Sequence, residues 1–179
     1  MESGNREFTM RDTDLRSIVV NAVEAFEPVR ERKNVELDVG LPPESTMVRA
    51  DRGAVSDALF NLLTNAYKYG GDPPKISLFV EETPKEVKLT VRDNGSGIPA
   101  TEHSAIFQRF YRVDDRLSRE REGSGLGLAI VKHVMKAHQG RVELVSAIGK
   151  GSSFSLVLPV LHQHKSGPPR APSQPEVES

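Results

Sequence analysis

Six strand-like segments and only three long helix-like segments make up this chain, and that ratio limits the folds it can adopt. The strand-like segments lie at 34–40, 46–50, 75–82, 86–93, 141–147 and 152–160, and the helix-like segments lie at 15–32, 51–69 and 126–139, with a shorter helix predicted near 101–110. Three long helices are too few to cover both faces of such a sheet. The pattern predicts an α/β (α+β) two-layer sandwich, in which a mixed, mostly antiparallel sheet has about three main helices on one face. The other face must then be polar or covered by a partner.

Composition narrows the classes of function. The 179 residues carry 24 Lys and Arg against 25 Asp and Glu, and they include no cysteine. The near balance of charge gives no general attraction to nucleic acid or to an anionic membrane, and the lack of cysteine excludes disulfides and thiolate zinc sites. No apolar run approaches the roughly 20 residues that a membrane span needs. We expect one cytoplasmic domain at 14–160, between a linker segment at 1–13 and a disordered Pro- and Ser-rich tail at 161–179, with no nucleic-acid partner and no direct membrane contact.

The segment 51-DRGAVSDALFNLLTNAYKYG-70 combines two faces of one predicted helix. At about 100° per residue, its apolar side chains form a single stripe that predicts a core contact: Val55, Ala58, Leu59, Leu62, Leu63 and Ala66. A polar strip lies on a different face, with members about one turn apart: Asp57, Asn61, Asn65 and Lys68. A solvated helix face explains this strip. The alternative is a magnesium–nucleotide site, because amide oxygens suit a hard cation and an ammonium group suits a phosphate.

A second motif, 91-VRDNGSGIP-99, places a carboxylate at the end of a predicted strand. Ordinary turn chemistry accounts for its Asp, Asn and Gly residues. Alternatively, Asp93 accepts a hydrogen bond from an exocyclic amine, while Gly95 and Gly97 leave room for a flat ring.

The third motif, 123-GSGLGLAI-130, has glycines at every second position just before a predicted helix. Glycine lets backbone amides approach a ligand closely, and the start of a helix offers further unpaired amides, so the motif suits a phosphate. The preceding run 114–123 is charged and excludes the buried strand of a dinucleotide-binding fingerprint. The pair Gly149-Lys150 is followed by Gly151, which excludes a Walker loop.

In this order and at this spacing, the motifs resemble the four sequence boxes of the catalytic and ATP-binding domain of two-component sensor histidine kinases. The N, G1, F and G2 boxes correspond to Asn61-x-x-x-Asn65-Ala66-x-Lys68-Tyr69, Asp93-x-Gly95-x-Gly97-Ile98-Pro99, 106-IFQRFYR-112 and Gly123-x-Gly125-Leu126-Gly127-Leu128. The resemblance covers about Asp14 to Pro159. It implies the Bergerat ATP-binding fold of the GHKL superfamily, which histidine kinases share with gyrase-type ATPases, mismatch-repair ATPases and some chaperones.

The resemblance implies ATP and Mg²⁺ as cofactors and gives each matching residue a role. Asn65 is assigned to the magnesium ion with Asn61 beside it, Lys68 to the phosphates, and Tyr69 to the sugar or base. Asp93 is expected to accept the adenine amino group in a pocket lined by Gly95, Gly97 and Ile98. Arg112 is expected near the γ-phosphate, which makes Asn61, Lys68 and Arg112 the catalytic candidates. The charged run before the glycines is the expected ATP lid, and the lid and backbone contacts are assigned to Gly123, Ser124, Gly125, Leu126, Gly127 and Leu128.

Two further features bear on the reaction. Hydrolysing relatives place a glutamate general base at the position of Asn61, and an amide cannot take that proton. None of the five histidines lies in the His-Glu-Leu-Arg-Thr-Pro context of a phosphoacceptor: His103, His133, His138, His162 and His164. We therefore expect a monomeric catalytic domain, lacking its dimerisation hairpin, that binds ATP or ADP. The γ-phosphate of ATP is expected to pass to a histidine on that separate domain and then to a response regulator. The parent protein can be membrane-anchored. The alternatives are a nucleotide-responsive interaction module and a GHKL-type ATPase.

Overall fold

The computed structural model describes residues 7–111 and 125–161, and the expected lid, Arg112, Gly123, Ser124 and most of the expected tail lie outside these ranges. The strands are β1 (Arg11–Asp14), β2 (Glu36–Gly40), β3 (Met47–Ala50), β4 (Lys75–Glu82), β5 (Glu86–Asp93), β6 (Arg141–Ser146) and β7 (Ser152–Pro159). The helices are α1 (Leu15–Lys33), α2 (Arg52–Tyr69) and α3 (Gly127–Ala137), with 3₁₀ turns at Ala100–Glu102 and Ala105–Phe107. None of the helices in these ranges is long and apolar enough to cross a bilayer.

The main sheet has five strands in the order β2-β4-β5-β7-β6, and a small two-stranded sheet pairs β1 with β3. Only β2 and β4 run parallel; every other pair in the main sheet is antiparallel. The β4–β5 hairpin has the predicted bounds, and Thr83 closes its turn by accepting hydrogen bonds at Oγ1 from the backbone N–H groups of Lys85 and Glu86, at 3.4 and 3.0 Å. The sheet is therefore mixed and mostly antiparallel, as the sequence predicts.

The three helices pack on one face of this sheet and form the core with it. All six residues of the predicted apolar stripe of α2 are buried, and they meet buried sheet residues such as Leu78, Leu89, Val91 and Leu156. On the opposite face, Lys88 pairs with Glu143 and Arg141 pairs with Glu86 and Glu143. Beneath these ion pairs the hydroxyls of Thr90 and Ser155 lie 2.9 Å apart and share a hydrogen bond. The two-layer prediction is confirmed, and the face without helices carries these ion pairs and the Thr90–Ser155 hydrogen bond.

The segment that precedes α1 is tied to the ends of α2 and α3. The backbone N–H of Thr9 donates to Asp51, which also caps the start of α2. The Asp51 N–H in turn donates to Nε2 of His138, 3.0 Å away, and Nδ1 of His138 lies 2.7 Å from the Val134 carbonyl. The Phe8 ring packs edge-on against the His138 ring, with 5.3 Å between their centroids. His138 is therefore buried, with both ring nitrogens in hydrogen-bond contact.

Three local predictions differ from the observed structure. The segment near 101–110 forms two short 3₁₀ turns instead of one helix. Helix α3 ends at Ala137, two residues before the predicted end at 139. Gln139, with φ 56°, adopts the left-handed conformation that often follows a helix. Residues Arg11–Thr13, expected to be linker, belong to strand β1, because they pair with β3 far along the chain.

Candidate functional site

The polar strip of α2 lies along the side of the helix next to α3. Asp51 caps the helix through a 3.0 Å hydrogen bond that its Oδ1 accepts from the Ala54 N–H. Since the apolar stripe faces the sheet, the helical period turns Asn61, Asn65 and Lys68 toward a partly exposed side, and all three are half-buried. Tyr69, the last residue of the helix, is 46% exposed. The strip therefore stands at the edge of the core, where side chains remain accessible to a ligand.

Asn61 meets the first residue of α3. Its Nδ2 donates to the Asp57 carbonyl over 3.1 Å, which leaves Oδ1 as the group's acceptor. A Cβ atom added to Gly127 would lie 3.3 Å from that Oδ1, a distance shorter than most real contacts. Gly127 thus allows the start of α3 to sit against the polar strip. Among the described residues no side chain caps this helix start, which leaves its first backbone N–H groups able to bond to another partner.

Asp93 ends strand β5 as a buried acceptor. Its side chain is held by Oδ1, which accepts hydrogen bonds from the N–H groups of Gly95 and Ser152, at 2.8 and 3.2 Å. Burial raises the pKa of the Asp93 carboxyl, and the two backbone hydrogen bonds oppose that rise. With Oδ1 committed to the protein, the second oxygen is the atom that can accept from a ligand.

The glycines of the Asp93 turn are needed for close contacts within the protein itself. A Cβ on Gly95 would lie 2.0 Å from the Tyr69 carbonyl oxygen, and one on Gly97, at φ +75°, would lie 1.9 Å from that of Ala147. Room for a flat ring is one reason for glycine at these two positions. The structure gives them another reason, since any side chain at these positions would push the turn away from the end of α2 or from the β6–β7 connection.

Three polar side chains that the sequence analysis did not single out hold this turn. Ser146 accepts a hydrogen bond from the Ile98 N–H over 2.8 Å, and His103 Nε2 lies 3.1 Å from the Ile98 carbonyl. The third is Asn94, whose side-chain amide bonds to the loop after α2. Ser146 is 48 residues from Ile98, so no local pattern indicates the contact. Asn94 lies inside the recognised motif, where turn chemistry alone explains it.

The start of α3 is tied to the segment that follows the 3₁₀ turns. Gly125, at φ +68°, accepts a 3.0 Å hydrogen bond from the Phe110 N–H, and a Cβ there would lie 3.0 Å from the Phe110 Cα. Leu126 occupies the N-cap position and Leu128 packs against the core. The Tyr111 hydroxyl donates to a Glu102 oxygen, which anchors the chain just before residue 112.

The structure thus brings three chain segments together. The end of α2 touches the Asp93 turn through Gly95, and the start of α3 touches Asn61 through Gly127. Residues 7–111 and 125–161 contain no group of three or more His, Asp or Glu side chains able to hold a metal ion. The polar groups at hand are a strip of side-chain amides, one buried carboxylate and backbone N–H groups, which together can bind a polar organic ligand.

Comparison with known proteins identifies what shares this arrangement. Residues 50–162 match the family described as histidine kinase-, DNA gyrase B-, and HSP90-like ATPase. The sensor-like histidine kinase SenX3 of Mycobacterium bovis is 33% identical over 100% of this chain and 44% of its own length. The sensor histidine kinase MtrB of Mycolicibacterium paratuberculosis is 37% identical over 92% of this chain and 29% of its own length. The chain therefore spans less than half the length of these relatives.

Solved structures agree with the sequence relatives. A mycobacterial sensor histidine kinase, MprB, superposes with a TM-score of 0.72 at 28% identity, over 85% of this chain and 98% of that one. Full-length ShkA in complex with AMPPNP gives a TM-score of 0.74 at 26% identity, over 86% of this chain and 32% of that one. Both share the two-layer fold with this chain, and the family match covers α2, the Asp93 turn and α3 together. The chain belongs to the histidine kinase-, DNA gyrase B- and HSP90-like ATPase family.

Proposed function

We propose that this chain is the ATP-binding catalytic domain of a sensor histidine kinase, and that it transfers the γ-phosphate of ATP to a histidine on a separate dimerisation domain. The receiver domain of a response regulator then takes the phosphate from that histidine. The observation that carries the proposal is the convergence of the α2 strip, the Asp93 turn and the start of α3. We assign the domain to the cytoplasm, where ATP is available.

Asp93 reads the base in this proposal. Its free oxygen accepts the adenine amino group, because the other oxygen is already held by two backbone amides. Gly95, Gly97 and Ile98 line the base pocket, and Tyr69 lies toward the sugar or base. A buried carboxylate discriminates strongly, since a base without the matching donor leaves it unpaired.

The amide strip binds the phosphate end. Asn65 and Asn61 supply oxygens for Mg²⁺, and the Asn61 amide fits this role because its nitrogen is already engaged by the Asp57 carbonyl. Hard cations prefer such oxygens, so these two residues would hold the ion. When bound, the ion supplies charge neutralisation at the phosphates. Lys68 adds a positive charge to the same end.

The backbone around α3 completes the phosphate site. Gly125, Leu126, Gly127 and Leu128 offer amides at an uncapped helix start, where an anion is stabilised. Arg112, Gly123 and Ser124 belong to the same proposal and lie outside the described residues, with Arg112 assigned to the γ-phosphate.

The side-chain amide of Asn61 favours transfer of the γ-phosphate over hydrolysis of ATP. A general base must accept a proton from the attacking water, and the Asn61 side chain has no such capacity. The domain's own contribution is positioning and charge stabilisation of the γ-phosphate, which are the main devices of phosphoryl transfer. The acceptor histidine comes from the partner domain, so the isolated chain turns ATP over slowly.

Calorimetric titration with Mg-ATP and Mg-ADP tests the proposal. The chain should bind both nucleotides, and Asn65→Ala should reduce the difference in affinity between titrations with Mg²⁺ and with EDTA. Asn21→Ala, which replaces a helical asparagine on α1, serves as the control and should bind like the wild type. Absence of heat with both nucleotides would refute the proposed function.

A further inference from the structure

The side-chain amide of Asn94 makes three hydrogen bonds to one loop. Its Oδ1 accepts from the N–H groups of Gly71 and Lys75, both at 2.9 Å, and its Nδ2 donates to the Pro73 carbonyl at 3.1 Å. The two donors and one acceptor fix the orientation of the amide. Only asparagine supplies this set, because aspartate has no N–H for Pro73 and glutamine is one methylene longer.

This loop joins the end of α2 to the start of β4. It follows directly on Lys68 and Tyr69, which carry the phosphate and sugar end of the proposed site. Asn94 itself stands between Asp93 and Gly95, in the turn that reads the base. A Cβ on Gly71 would lie 2.7 Å from Asn94 Nδ2, so the loop and the amide are packed against each other as well as hydrogen-bonded.

A second contact also joins the Asp93 turn to the end of α2. Gly95 sits so close to the Tyr69 carbonyl that a Cβ would lie 2.0 Å from it. Asp93 is fixed independently, by hydrogen bonds from Gly95 and from Ser152 on β7. Removal of the Asn94 amide therefore leaves the base acceptor in place and releases mainly the loop that follows Lys68.

We propose that Asn94 is a positioning residue, whose amide fixes the Lys68 end of α2 relative to the Asp93 turn so that a single nucleotide reaches both. The inference rests on the proposed function and deepens it. It predicts a specific signature, because a ligand without phosphates depends less on that spacing than a ligand whose phosphates reach Lys68.

Displacement of a fluorescent ATP analogue by ATP and by adenosine measures this signature. Asn94→Ala should weaken the binding of ATP by roughly ten-fold or more, since small displacements of binding groups have large effects. The affinity for adenosine should change much less. Thr83→Ala is the control, because it too removes a polar side-chain group that closes a turn. That turn lies at the far end of the β4–β5 hairpin. Thr83→Ala should leave both affinities within about two-fold of wild type, as expected for a distant site.

Amide hydrogen exchange provides the second measurement. The Gly71 and Lys75 amides should exchange faster in Asn94→Ala, and Asn94→Ser, which keeps a polar side chain but not the amide, serves if the alanine variant does not fold. Equal weakening of ATP and adenosine, or unchanged exchange at both amides, would overturn the inference. If the wild-type chain binds no nucleotide, the proposed function fails instead, and the exchange measurement still decides whether Asn94 holds the loop.

Discussion

Replacement of Asp93 by asparagine separates recognition of the base from stability of the fold. The two backbone amides of Gly95 and Ser152 require an oxygen, so the new side chain keeps its Oδ1 in the place of the bonded carboxylate oxygen. Its Nδ2 then occupies the position that faces the base. An acceptor becomes a donor there, and the donor meets the amino group of adenine.

The expected effect is a change in base preference. An unsatisfied buried donor opposite another donor costs about 1–3 kcal/mol, or about 5- to 150-fold in affinity. Asp93→Asn should weaken the binding of ATP by that factor. Inosine triphosphate carries a carbonyl in place of the amino group, so its affinity should rise relative to that of ATP.

The apo protein should not lose stability at pH 7. Burial raises the pKa of the Asp93 carboxyl above its ordinary value of 3.8, and the opposing hydrogen bonds do not cancel that rise. The folded state therefore holds the proton more tightly than the unfolded state does. This contribution to stability is present below the unfolded pKa and is lost as the pH rises through the folded pKa. The variant should be at least as stable as the wild type at pH 7, and its advantage should shrink as the pH is lowered toward 4.

Calorimetry with both nucleotides and urea unfolding between pH 4 and pH 7 test this prediction. Asp38→Asn is the control, because it removes one negative charge from an exposed position on edge strand β2. It should leave nucleotide preference unchanged. A variant at Asp93 that binds ATP like the wild type, or that is less stable by the same amount at every pH, would refute the assignment of a buried, base-reading carboxylate.

Three further predictions concern the rest of the molecule. Phe8→Ala should lower the free energy of unfolding by about 1–2 kcal/mol, because it removes the ring packed on His138; an unchanged urea midpoint would contradict this. Thr64→Val should raise the free energy of unfolding by about 1 kcal/mol, because the Thr64 hydroxyl is buried with no hydrogen-bond partner among the described residues. A lower urea midpoint would indicate that water satisfies this hydroxyl. Arg141→Ala should lower the urea midpoint slightly at low salt and not in 1 M NaCl, since its ion pairs with Glu86 and Glu143 are solvent-exposed. An equal loss of stability at both salt concentrations would argue against screening.

Much of the fold could be predicted because its signals are local. Alternation and a proline-containing turn give β4 and β5 the observed bounds, and the apolar stripe of α2 fixes which side of the helix is buried. The polar strip lies on α2 and Asp93 ends β5, where the sequence pattern puts them, for the same reason. Each of these motifs lies within one or two turns of a single element.

The contacts that hold the site together could not be predicted, because they join distant parts of the chain. His138 meets the N-cap of α2 across 87 residues, and Thr9 meets the same cap across 42. The close contacts of Gly95 and Gly97 depend on the path of α2 and of the β6–β7 connection. Strand β1 exists only because β3 pairs with it. The short 3₁₀ turns have too few residues for a periodic pattern.

Phosphate transfer in trans tests the central claim most directly. The chain is incubated with γ-labelled ATP, with and without the histidine-bearing dimerisation domain of the same kinase, and both free phosphate and acid-labile phosphohistidine are measured. The absence of a carboxylate at Asn61 predicts very slow phosphate release by the chain alone and labelling of the histidine when the partner domain is added. Rapid release of phosphate by the chain alone, with no label on that histidine, would contradict the kinase assignment and favour an ATPase.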